Sequence, residues 1–99
     1  MGRVRRPTPV RLPEKLLLIR ESLGLSQNGM LRKLGIEDEY DRATISGFER
    51  GVREPPLPVL LEYARAANIY VEVLIDDGLD LPEKLPARKK SEGVKQSPD

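Results

Sequence analysis

Cysteine and histidine are both absent from the 99 residues. Together those absences exclude thiol nucleophiles, disulfides, thiolate zinc sites and imidazole acid–base catalysis. Long apolar runs are also missing. The longest, Leu16-Leu17-Leu18-Ile19, falls far short of the roughly 20 residues that span a bilayer, and there is no apolar core of a secretory leader. The expectation is a cytoplasmic protein without membrane, metal or cofactor. An enzyme finds little support either, because no phosphate loop and no pair of acids in a pocket stands out. Glu37, Asp38, Glu39 and Asp41 are close in sequence, but they lack the spacing and glycine of a calcium loop. A solvated acidic loop is the simpler reading.

Net charge is small, at +1 from 17 basic and 16 acidic side chains. Its distribution is uneven. The first 12 residues hold Arg3, Arg5, Arg6 and Arg11 and no acid, and the last stretch holds Lys84, Arg88, Lys89, Lys90 and Lys95 against Glu92 and Asp99. The middle is therefore net acidic. Both ends are also poor in apolar side chains and cannot offset the entropy of ordering themselves. The chain divides into a flexible basic arm over residues 1–11, a folded domain over 12–85 and a disordered tail over 86–99. Basic arms commonly contact phosphates or the minor groove; a purely solubilising role fits the tail equally well. A domain of this size buries about 60% of the surface its unfolded chain exposes, which leaves little room for an enzyme cleft.

Pro13 and Glu14 suit the first turn of a helix. Leu16, Ile19 and Leu23 follow at helical spacing, with Gly24 as a stop. Leu17 and Leu18 fall outside that stripe, as extra core or as part of a partner surface. Ser26 suits the N-cap of a short second helix, Gln27 to Leu34, that turns Met30, Leu31 and Leu34 inward and ends at Gly35. Asp41 can cap a third helix from Arg42 to Arg50, with Ile45 and Phe48 inward and Gly51 as its stop. Val52 to Pro58 holds three prolines and reads as an extended connection. A fourth helix runs from about Pro58 to Ala67. Ile69 to Ile75 stays open between a strand, favoured by Tyr70, Val71 and Val73, and a short fifth helix, favoured by its length and place.

The third helix carries the chemistry. Outside its apolar stripe it offers Arg42, Ala43, Thr44, Ser46 and Gly47, which are small or hydrogen-bonding residues of the kind that can enter a groove about 12 Å wide. Many small helical domains share that pattern, so the pattern alone does not decide. The fuller sequence is more specific: Leu25-Ser26-Gln27, Leu34-Gly35-Ile36, Ala43 through Gly51 (Ala-Thr-Ile-Ser-Gly-Phe-Glu-Arg-Gly), Arg53-Glu54-Pro55, Leu57 and Leu60-Leu61. It closely resembles the Cro/C1-type (XRE) helix-turn-helix family over about Leu16 to Ile75.

That resemblance implies an all-α, lambda-repressor-like bundle of about five short helices, flanked here by the basic arms. It implies a phosphate contact from Gln27 at the start of the second helix, where free N–H groups also attract phosphate, and neighbouring Asn28 is a further candidate DNA contact. It places Arg42, Ala43 and Gly47 toward the bases with Ser46 on the same helix, Thr44 at the DNA backbone, and Arg53 at a phosphate. Arg3, Arg5 and Arg6 are further candidate DNA contacts. It also implies a structural ion pair between Glu49 and Arg20. The implied function is a small transcriptional regulator that binds double-stranded DNA as a homodimeric repressor, with Ile69–Ile75, Leu79, Leu81, Leu17 and Leu18 as the candidate dimer surface. The alternative is an antitoxin that binds a toxin partner and represses its own operon. Two departures matter. The segment from Gly35 to Ile45 is about four residues longer than the family pattern, and Ala43 and Gly47 offer no hydrogen bonds, so Arg42 carries much of the expected readout.

Overall fold

A computed structural model describes residues 8–86 as five helices with no strand among them. They are α1 (Leu12–Ser22), α2 (Gln27–Leu34), α3 (Arg42–Arg50), α4 (Leu57–Ala67) and α5 (Val71–Ile75). Arg3, Arg5 and Arg6, and the tail from residue 87, lie outside the described residues. None of the described helices is long and apolar enough to cross a membrane.

The caps are local and follow sequence chemistry. The Ser26 hydroxyl accepts the Gly29 N–H at 2.9 Å, and the Asp41 carboxylate accepts the Thr44 N–H at 3.3 Å. Gly35 and Gly51 end α2 and α3 at φ +74° and +77°, a left-handed conformation that costs glycine no steric penalty. Each cap is worth about 1 kcal/mol. Burial outweighs them, at about 1.5–3 kcal/mol for each large apolar side chain. Leu16 and Ile19 of α1, Met30 of α2, Ile45 and Phe48 of α3, Tyr63 of α4 and Leu74 of α5 meet in one core. In this core α3 packs on α1 and α2, while α5 packs on α4 and α1.

Between its two possible conformations, the segment from Ile69 is helical at Val71–Ile75. No neighbouring strand among the described residues could pair with it. A single helical turn buries Leu74 completely instead and leaves Tyr70 79% exposed. The five-residue helix gains support from Lys15, which occupies an inward position on α1. Its Nζ donates to the Val73 and Asp76 carbonyls at 2.8 and 3.0 Å, placing a cation at the C-terminal end of α5. The two leucines outside the α1 stripe separate: Leu17 is half-buried and Leu18 is 47% exposed.

Val10 and Arg11, expected within the flexible arm, are held on the body. Arg11 is the N-cap of α1 but makes no side-chain cap. The Asp77 carboxylate supplies it across the chain, accepting the Val10 and Arg11 N–H groups at 2.9 and 3.0 Å. The Arg11 guanidinium donates to the Asp77 carbonyl at 2.9 Å and to Asp80 at 2.7 Å. At the other end Pro86, assigned to the tail, accepts a hydrogen bond from Asn68 Nδ2 at 3.1 Å.

Those two backbone N–H groups, Arg11's first, hold the Asp77 carboxyl below its ordinary value. A carboxylate whose folded value is depressed stabilises the fold above its unfolded value of about 3.9 and loses that contribution as the pH falls through the folded one. Asp77→Asn is therefore expected to be less stable than wild type at neutral pH, with the difference shrinking below about pH 4. Urea unfolding followed across that range measures it; a difference independent of pH would contradict the clasp.

Candidate nucleic-acid interface

The outward surface of α3 follows from its inward one. Ile45 and Phe48 fill the core, with Thr44 and Gly47 buried beside them. Arg42, Ser46 and Arg50 recur every four residues and form one stripe on the opposite side. Arg42, Ala43 and Arg50 are exposed and Ser46 is half-buried. Arg50 Nε donates to Ser46 Oγ at 3.1 Å. Arg50 is absent from the residues that the family resemblance implies, although its i, i+4 relation to Ser46, itself i, i+4 from Arg42, places it on that stripe.

Glu49 would put an acid on the flank of this basic stripe, but its charge is turned inward and matched. Arg20 Nε and Nη2 donate to the two carboxylate oxygens at 2.7 and 3.1 Å, and Gln27 Nε2 donates to one of them at 3.3 Å. The Glu49 side chain is 6% exposed and that of Arg20 17%. Arg20 Nη1 donates in addition to the Leu25 carbonyl at 2.9 Å. One guanidinium thus ties α1, the turn before α2 and α3 together, with Gln27 adding the first residue of α2. The hydrogen bond to Glu49 raises the proton affinity of Arg20 further above its ordinary value.

The long connection between α2 and α3 keeps its acids on the solvent side. Ile36 is buried and Tyr40 half-buried against the core, and the Ile36 carbonyl accepts the N–H groups of Glu39 and Tyr40, both at 3.0 Å. Glu37, Asp38 and Glu39 are exposed on the resulting turn. Asp41 is committed to capping α3.

The sequence-derived residues therefore occupy different situations. Asn28 and Arg42 are exposed with Ala43, while Gln27 is half-buried and engaged with Glu49. Thr44 and Gly47 are beneath the surface. Gly47 lies under Arg53: a Cβ there would stand 3.0 Å from Arg53 Cδ and 3.1 Å from Cγ. The backbone sets this up, because the Val52 and Arg53 N–H groups donate to the Gly47 carbonyl at 3.0 and 3.2 Å and fold the chain back over α3. The exposed Arg53 side chain runs along the helix, and its Nη1 donates to Thr44 Oγ1 at 3.3 Å. Thr8 and Pro9 share a pocket of about 240 Å³ with Gly51, Val52 and Arg53, so these two residues lie beside the C-terminal end of α3.

The helix-turn-helix family model matches residues 16–74, which takes in all of α2, α3 and α4 with most of α1 and α5. No curated protein and no solved structure matches the chain.

Behind the ion pair sits Tyr63, fully buried on α4, whose hydroxyl has no hydrogen-bond partner among the described residues. Burial, then the nearby Glu49 charge, pushes its proton affinity up, so it remains a neutral phenol. An unsatisfied buried hydroxyl costs about 1–3 kcal/mol. Tyr63→Phe keeps the ring and removes that cost, so the variant is expected to be at least as stable as wild type in urea unfolding. A loss of more than about 1 kcal/mol would reveal a hydrogen bond made by the hydroxyl in solution.

Proposed function

We propose that this chain, which belongs to the Cro/C1-type (XRE) helix-turn-helix family of DNA-binding transcription regulators, acts as a sequence-specific repressor that presents α3 to the major groove of double-stranded DNA. The family is a regulatory one rather than an enzymatic one. The observation that carries the reading is the outer stripe of α3, where Arg42, Ser46 and Arg50 face outward with Ala43 while the acid of the same helix is paired inside. Arg42 at the first position of α3 can form a bidentate pair with a guanine, worth about 1–3 kcal/mol of discrimination. Asn28, and the N–H groups at the start of α2, suit phosphate. Gln27 serves chiefly to hold Glu49, and it retains a second amide hydrogen for DNA.

Two copies bound one helical turn apart would multiply the affinity of a single short helix. The apolar side chains left outside support self-association: Tyr70, Ile75 and Leu79 around α5, and Leu18 on α1. Leu74, part of the expected surface, belongs to the core, and Leu81 packs partly against it. The basic arm with Arg3, Arg5 and Arg6 would add salt-sensitive phosphate or minor-groove contacts. The cytoplasm, where its DNA target would lie, is the matching compartment.

The test is fluorescence anisotropy against duplex DNA from upstream of the chain's own gene and against a scrambled duplex, at several salt concentrations. A preference of about 10³ or more for the native duplex is expected, and Arg42→Ala is expected to erase most of it. Equal, weak and salt-sensitive binding to both would overturn the reading in favour of a partner-binding module of the antitoxin kind.

A further inference from the structure

Gly47 is an unlikely-looking member of a base-reading surface only until its neighbour is considered. On a helix, position 47 adjoins positions 43 and 50, so it borders the exposed stripe of Arg42, Ala43, Ser46 and Arg50. Glycine offers no side chain there, and the space above it is occupied by the methylene groups of Arg53. We propose that Arg53 is a specificity-determining residue that reads a base in place of position 47, and that Gly47 is the seat which aims it. The proposal rests on the reading that α3 enters the major groove.

Three observations support this over a contact to phosphate alone. First, Arg53 does not extend away from the end of α3 toward a flanking backbone. Its side chain turns back along the helix as far as Thr44, toward the N-terminal half from which recognition helices approach base edges. Second, its guanidinium is pre-positioned. Nη1 donates to Thr44 Oγ1, and that hydroxyl donates in turn to Asp41 at 3.4 Å. Among the described residues nothing else accepts from this planar fork, whose other N–H groups suit a guanine O6 and N7. Third, the seat admits no larger residue without displacement, since a Cβ at position 47 falls within 3.1 Å of two Arg53 carbons. The exposed surface of α3 then carries three guanidinium groups, those of Arg42, Arg50 and Arg53. The two positions where the sequence offers no hydrogen bonds, Ala43 and Gly47, are flanked by these arginines.

The experiment is selection from a randomised duplex pool followed by salt titration, with full-length wild type, Arg53→Ala, Arg53→Lys, Gly47→Ala and the Gly47→Ala, Arg53→Ala double variant. Arg53 is exposed, so its variants keep the fold, and unfolding in urea checks each one. The expected result is that Arg53→Ala loses about 10- to 100-fold of preference at one base pair, leaving the rest of the selected site and the salt slope unchanged. Arg53→Lys, without the planar fork, does not restore that position. Gly47→Ala relaxes the same position and has no further effect there when Arg53 is already Ala. If Arg53→Ala weakens every sequence equally and lowers the salt slope by about 1, Arg53 is a phosphate contact and the proposal is overturned. An unchanged selected site overturns it as well. A wild-type protein that selects no sequence overturns the groove-reading function itself, which separates that failure from the failure of this assignment.

Discussion

Glu49 lies on α3 with its carboxylate almost removed from water, a position that is tolerable only because Arg20 meets both of its oxygens. Breaking such a pair by removing one partner strands a buried charge and costs about 3–5 kcal/mol, whereas replacing both partners with apolar groups can be neutral. The pair is therefore weak evidence for net stability. What it contributes is direction. A bidentate guanidinium–carboxylate contact tolerates little rotation, and Arg20 also holds the Leu25 carbonyl while Gln27 joins at the start of α2. The rotation of α3 about its own axis, and with it the set of residues facing outward, is specified by this network together with Ile45 and Phe48 in the core.

Charge sorting follows from the same arrangement. An acid on the flank of the exposed basic stripe of α3 would repel phosphate, and here it is neutralised inside. The connection before α3 keeps its acids out on a turn pinned by Ile36 and Tyr40, and Asp41 is spent on the cap of α3 and on Thr44. At the start of α1 Asp77 and Asp80 hold Arg11. Val10 and Arg11 are thus fixed to the loop after α5.

The parts of this architecture that depend on near neighbours were legible in the residues. Ser26, Gly35, Asp41 and Gly51 delimit α2 and α3 because capping chemistry acts over three or four residues. The inward stripe of Leu16, Ile19, Ile45 and Phe48 shows itself by spacing alone. The Arg20–Glu49 contact spans 29 positions and was expected from a family resemblance, since no local pattern encodes it. Where no such pattern or resemblance helped, the reading stayed open. Val71 and Val73 favour a strand by propensity, and the burial of Leu74 decides for a helix. Lys15 looks like an ordinary exposed lysine until α5 sets two carbonyls above it. Gly47 reads as an empty place on α3, because nothing in its own neighbourhood announces that the chain beyond Gly51 folds back and lays Arg53 over it.

On the proposed function, the buried pair holds α3 in the orientation that DNA recognition needs. The direct measurement is operator affinity for the Arg20→Met, Glu49→Met double variant, compared with wild type after cooperative unfolding has verified that both are folded. The expected result is a folded double variant whose affinity for its operator is at least about tenfold weaker, a difference of about 1.4 kcal/mol, with its salt-sensitive binding to unrelated DNA retained. A folded double variant that binds the operator as tightly as wild type would contradict it.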